Sequence, residues 1–230
     1  MKRLILRLLI PRSLIVFALI LAAPSFANET IFSQEYKTRI QGISITTTRS
    51  LAKRDDGLLR FRIRSSNFLV KFEETSIFEE LEDGSFRSLS NISERKILGI
   101  SNKNSTLFDW DQMIATFKRD GNTTETVIEP GMLDRTLYQY LMEIDMRAGR
   151  PQLSYDVVDK GRIRNFTFEN LGVEDIEIDD QDLSAFKLRR ITEDDERETL
   201  VWMAAGLDYQ IVKIYHREDE DEEYTMTRKF

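Results

Sequence analysis

From Leu59 to Arg64 the chain alternates strictly, with Leu59, Phe61 and Ile63 apolar and Arg60, Arg62 and Arg64 between them. A period of two puts the apolar side chains on one face of a strand and the guanidiniums on the other. Phe166 and Phe168 repeat the pattern within Gly161–Asn170, after a turn at Asp159-Lys160-Gly161. Further strands are predicted at Phe32–Ile40, Ile43–Ser50, Phe68–Phe78, Lys96–Asn102, Met113–Arg119, Thr123–Glu129, Gln152–Val158 and Ile176–Ile178. The C-terminal set is Ala185–Thr192, Thr199–Met203, Tyr209–His216 and Tyr224–Arg228. Turn formers such as Asp55-Asp56-Gly57, Glu82-Asp83-Gly84 and Asp120-Gly121-Asn122 separate them. The expected fold is mainly β, an antiparallel meander forming a curved sheet or partial barrel.

One segment departs from this period. Leu133, Leu137, Leu141 and Ile144 recur at helical spacing, Asp134 is a candidate N-cap, and Gly149-Arg150-Pro151 supplies a stop. One α-helix is therefore predicted within Leu133–Ala148, covering a face or mouth of the sheet.

The N-terminal segment has another character again. Lys2, Arg3, Arg7 and Arg12 precede an apolar run of 11 residues, Ser13–Ala23, and Pro24-Ser25-Phe26-Ala27 ends in small residues. That is the layout of a secretory signal cut after Ala27. A spanning helix needs about 20 apolar residues, so no transmembrane anchor is expected after cleavage. The expected domains are a cleavable signal peptide, 1–27, and a single β-rich domain, 28–230, in the periplasm, with secretion to the medium as the alternative.

Composition narrows the chemistry. The chain contains no cysteine, which leaves no disulfide framework, no thiolate nucleophile and no thiol for a lipid anchor. Removing the four basic residues of the signal takes the formal charge from −7 to −11. A domain that acidic repels phosphate backbones, so no nucleic acid partner is expected.

His216 is the one histidine, and it closes an apparent strand beside an acidic turn, as a solvent-edge histidine would. Neither a nucleophile elbow nor a phosphate-binding glycine loop is present. Three acidic clusters, Glu174–Asp182, Glu193–Glu196 and Glu218–Glu223, lack the spacing of a calcium loop and read as solvated hairpin turns. No catalytic residue, metal ligand or cofactor is assigned. The aromatic residues Phe108, Trp110, Tyr138 and Trp202 are candidate lining for an apolar ligand, set against plain core packing.

The order Thr106-Leu107-Phe108-Asp109-Trp110, then the helical stretch Asp134–Arg147, the hairpin Asp156–Gly161, and Thr199-Leu200-Val201-Trp202 leading through Asp208 and Tyr209 to a last hairpin is similar to bacterial envelope proteins grouped as domain of unknown function 3108. The resemblance runs from about Phe32 to Phe230. The acidic run Glu218–Glu223 departs from it, standing where a glycine-containing turn is expected. It implies an exported β-rich protein and carries no catalytic residues.

Three functional expectations follow. The first is a non-enzymatic binding module for an apolar or amphipathic envelope molecule such as a lipid. The second is an interaction protein presenting acidic hairpins to a basic envelope protein partner. The third is a hydrolase working with carboxylates alone.

Overall fold

The computed structural model describes residues 29–40, 43–150, 152–193, 197–219 and 223–230; the expected signal segment lies outside them. Eight strands come first: β1 (Glu29–Ile40), β2 (Ile43–Lys53), β3 (Leu59–Ser66), β4 (Val70–Glu80), β5 (Phe86–Ile97), β6 (Ile100–Asp109), β7 (Ile114–Arg119) and β8 (Asn122–Val127). Each pairs antiparallel with the next. A short β9 (Leu133–Asp134) leads into α1 (Leu137–Arg147). The second meander is β10 (Leu153–Asp159), β11 (Arg162–Ile178), β12 (Gln181–Arg190), β13 (Glu198–Ala204), β14 (Gln210–Arg217) and β15 (Glu223–Arg228).

β15 pairs antiparallel with β1, joining both meanders into one fifteen-stranded sheet with β8 and β9 at its edges. The β9–β10 pair is parallel. The sheet curls about α1 without closing, and its two ends meet through side chains instead of a ladder. On β8, Thr126 Oγ1 donates to the Gly161 carbonyl at 2.8 Å. From β9, Asp134 reaches Ser76 on β4 and Ser88 and Asn91 on β5. The predicted class, a curved antiparallel sheet with one covering helix, is the architecture found.

Alternation explains which residues meet inside. Tyr36, Leu51, Phe61, Phe78, Leu188, Val201, Met203 and Ile211 point into the curl and pack with Leu137 and Met142 of α1. Burying each large apolar side chain contributes roughly 1.5–3 kcal/mol. The helix carries two tyrosines that plug opposite halves of the sheet. Tyr140 sits among Phe32, Phe61, Phe78 and Phe86, with ring centroids 5.9–6.2 Å away. Tyr138 contacts Tyr155, Phe166 and Phe168, the nearest at 5.0 Å.

Because α1 lies inside the curl, its two acidic residues, Glu143 and Asp145, are enclosed, and each has a partner, while Arg147 at its C-terminal end is exposed. Glu143 Oε1 accepts from Arg49 at 2.7 Å and from the Ile211 backbone N–H at 3.1 Å. Asp145 accepts from Arg150 and from the Tyr155 hydroxyl at 2.7 and 2.8 Å. Buried charge survives only when paired in this way.

The local corrections have physical causes. The helix begins at Leu137, and Leu133–Asp134 pairs with Val157 and Val158 as strand instead. Thr136 is the N-cap residue, and Asp134 bonds the Thr136 and Leu137 N–H groups from outside the helix, at 2.8 and 3.0 Å. Lys96–Asn102 is not one strand, because Leu98-Gly99 turns the chain between β5 and β6. Gly99 (φ +89°) and Leu98 (φ +48°) adopt the left-handed backbone of that turn. Ile176–Ile178 is the end of a 17-residue β11, whose irregularity at Asn170–Val173 bends it in the middle.

Candidate functional site

A cavity of about 460 Å³ lies between α1 and the concave face of the sheet. Met142 of α1 forms part of its base with Val201, Ile211, Ile214 and Met226 from β13, β14 and β15. Ile211 and Ile214 differ in parity, and both face inward because a bulge in the β13–β14 register lies between them. Ile63, Phe72, Tyr138, Phe166 and Tyr224 contribute the walls. Toward the end of the sheet where β10–β11, β12–β13 and β14–β15 turn, the lining becomes charged. Arg135, Arg190, His216, Glu74 and Asp159 stand there. An adjoining depression of about 280 Å³ shares Asp159, Phe166, Arg190, Thr199 and His216 and adds Lys160, Arg164, Arg197 and Glu218.

The charges at the mouth are unequal in their support. Arg135 lies 2.8 Å from Glu74 and 3.6 Å from Asp159, and Arg164 lies 3.4 Å from Asp159. Glu74 also accepts from Thr136 Oγ1 at 2.9 Å. Arg197 pairs with Glu218 at 2.7 Å. Arg190 differs: its guanidinium lies 3.6 Å from the centroid of the Phe166 ring, and its Nε is buried without a hydrogen-bond partner. Burial pushes its pKa down; Tyr138 and Asp159 oppose that shift, while the nearby Arg164 and Arg197 charges add to it.

His216 is half-buried, with Nδ1 2.8 Å from Thr199 Oγ1 and Nε2 3.5 Å from Glu218. Burial holds its pKa below the ordinary histidine value, and Arg190 and Arg197 push the same way while Glu218 opposes them. The Tyr138 and Tyr224 hydroxyls are pushed up by burial. The site thus offers an apolar interior, two neutral phenols and a cationic rim.

The four aromatic candidates occupy three different places. Tyr138 lines the cavity. Phe108 and Trp110 stack on each other at 5.9 Å against Ala115, Ile128, Met132 and Val158, near the seam between β7 and β10. Trp110 Nε1 donates to the Ser88 carbonyl at 2.7 Å. Trp202 lies on the opposite face of its strand from Val201 and Met203, in a cluster with Ile178, Ala185 and Val212. There its indole bonds Glu174 and lies under Lys187 and Lys213 at 5.1 and 4.3 Å.

Sequence reasoning passed over Arg190 and set His216 at the solvent edge, although both stand at the cavity mouth. A signal existed for the first. On β12, Phe186, Leu188 and Arg190 share one parity, so an arginine sits in phase with the inward positions. Arg49 does the same with Thr47 and Leu51 on β2, and it is fully buried. A charge on the apolar phase of a strand marks a specific internal partner or a ligand. The acidic runs lie at or beside hairpins, with Glu174–Asp182 spanning the β11–β12 turn; residues 194–196 and 220–222 fall outside the described residues.

No family model matches this chain, and no curated protein matches it. Among solved structures it is similar to a beta-barrel-like protein of domain of unknown function DUF1849 from Brucella abortus. That likeness has a TM-score of 0.52 at 9% identity and covers 88% of this chain and 98% of the other. At that identity it speaks for the fold alone, a curled β-sheet.

Proposed function

We propose that the protein is exported to the periplasm and there serves as a non-enzymatic binding module that holds an apolar or amphipathic molecule between α1 and the concave sheet. The observation that carries this reading is the cavity itself. At about 460 Å³ it falls within the roughly 300–1,000 Å³ range of small-molecule sites. Its lining combines an apolar base with polar side chains, among them Thr38, Thr47, Ser65 and Gln139, and charged ones at the mouth, which suits an amphipathic molecule. A helix held inside the curl by two tyrosines and two buried carboxylates keeps such a space open in a fixed shape.

The test is recovery of the ligand. Protein purified from the periplasm of a Gram-negative host is analysed by native mass spectrometry before and after organic extraction. An extractable adduct is expected, along with a chain mass that starts at Asn28. Replacing Ile214 in the cavity base by Trp should abolish the adduct while leaving the cooperative unfolding transition in place. A ligand-free protein that also fails to take up a fluorescent fatty-acid analogue would overturn the reading.

A further inference from the structure

We infer that the molecule bound in this cavity is a single-headed anionic amphiphile, its carboxylate or phosphate against Arg190 and its chain on the apolar base. This inference rests on the binding-module reading and names its ligand class.

The argument starts from charge. The chain as a whole carries −7, yet Arg135, Lys160, Arg164, Arg190 and Arg197 line the cavity and its mouth against Glu74, Asp159 and Glu218. The cations are therefore concentrated where the ligand would enter. Glu74 and Asp159 are taken up by Arg135 and Arg164, and Glu218 by Arg197. Arg190 has no carboxylate within ion-pair distance among the described residues, and its buried Nε makes no hydrogen bond.

A guanidinium cannot shed its proton to escape this cost, unlike a lysine or histidine. A buried, unsatisfied donor on a fixed charge is unfavourable unless something supplies the acceptor. Stacking on Phe166 at 3.6 Å sets the plane of the fork in advance. A planar fork with a free edge matches the two oxygens of a carboxylate or phosphate. Phe166 also lines the apolar wall, so the head position continues directly into the chain position. Asp159 faces the same mouth and would repel an anion, but its Arg135 and Arg164 partners offset that charge.

Isothermal titration with laurate, dodecyl phosphate and uncharged monolauroylglycerol tests the inference, because the chain stays the same while the head changes. Both anions are expected to bind more tightly than the neutral lipid, and the tighter of the two identifies the head. Arg190→Gln should weaken the anions roughly 10- to 100-fold, the scale of a lost charge-assisted hydrogen bond, and leave monolauroylglycerol unchanged. Retained neutral binding shows that this variant is folded. Arg190→Lys should fall between it and the wild type, keeping charge without the fork. Equal affinity for all three heads, or anion binding that ignores Arg190→Gln, would overturn the anionic head and leave the binding module standing. Failure of all three to bind would overturn both.

Discussion

Asp134→Ala should open the seam that holds the curl together. Asp134 is fully buried. Its carboxylate accepts from Ser76 Oγ at 2.5 Å, Ser88 Oγ at 2.9 Å and Asn91 Nδ2 at 3.2 Å, and from the Thr136 and Leu137 N–H groups at 2.8 and 3.0 Å. These five donors belong to β4, β5 and the start of α1, so one side chain ties β9 and the helix to the far half of the sheet. Removing it strands several buried donors, each at a cost of about 1–3 kcal/mol. Serine hydroxyls can turn elsewhere, which brings the expected total to about 3–5 kcal/mol. For a domain of this size that lowers Tm by roughly 6–20 °C. It also removes a large part of a stability that is typically about 5–15 kcal/mol. Urea unfolding of the purified protein, followed by far-UV circular dichroism, measures it. Ser88→Ala should lose about 1 kcal/mol by the same assay. A loss below about 1 kcal/mol for Asp134→Ala would show that the carboxylate does not hold the seam.

Other outcomes follow from the same structure. Arg49→Met should cost about 3–5 kcal/mol by leaving Glu143 buried without its cation. The double variant Arg49→Met with Glu143→Gln should recover at least half, because Gln still accepts from the Ile211 N–H; a double variant as weak as the single one contradicts this. Gly161→Ala should destabilise by roughly 1–3 kcal/mol. Its φ is +74°, and a Cβ there would meet Thr124 at 3.0 Å and Phe117 at 3.3 Å. Gly84→Ala, also at positive φ but facing open space, should cost less, and equal urea midpoints would remove the packing part of the argument. His216, held below its ordinary pKa by burial and by Arg190 and Arg197, stays neutral in the fold where the unfolded chain takes a proton. Its contribution is present above the unfolded value of about 6.5 and is lost as pH falls through the lowered folded value. The urea midpoint should therefore fall between neutral and mildly acidic pH more steeply in the wild type than in His216→Gln; parallel curves would refute it.

Strand alternation was readable wherever the inward face is apolar, as in Leu59–Arg64 of β3. It failed on β5, where the inward positions include Ser88 and Asn91. Those residues are polar because they bond Asp134, a contact 43 to 46 positions away in the chain. The same distant contact explains why Asp134, with the local look of an N-cap, serves as strand and staple instead. Tyr138 falls within the predicted helix, the element that covers the cavity, and it lines that cavity. Trp110 and Trp202 could not be placed, since which cluster a strand aromatic joins depends on where the sheet curls and bulges.

By itself, the sequence determined the antiparallel meander, the helix that interrupts it, the absence of disulfides and the acidic character of the chain. These depend on local periodicity and composition, which any window of the chain carries. Tertiary structure alone decided that β15 zips to β1, that α1 lies inside the curl with Glu143 and Asp145 enclosed, and that Arg190 and His216 share a cavity mouth with Tyr138. Those facts depend on contacts between residues tens to nearly two hundred positions apart. Pairing at that range is set by how the whole sheet bends, and no local pattern records it.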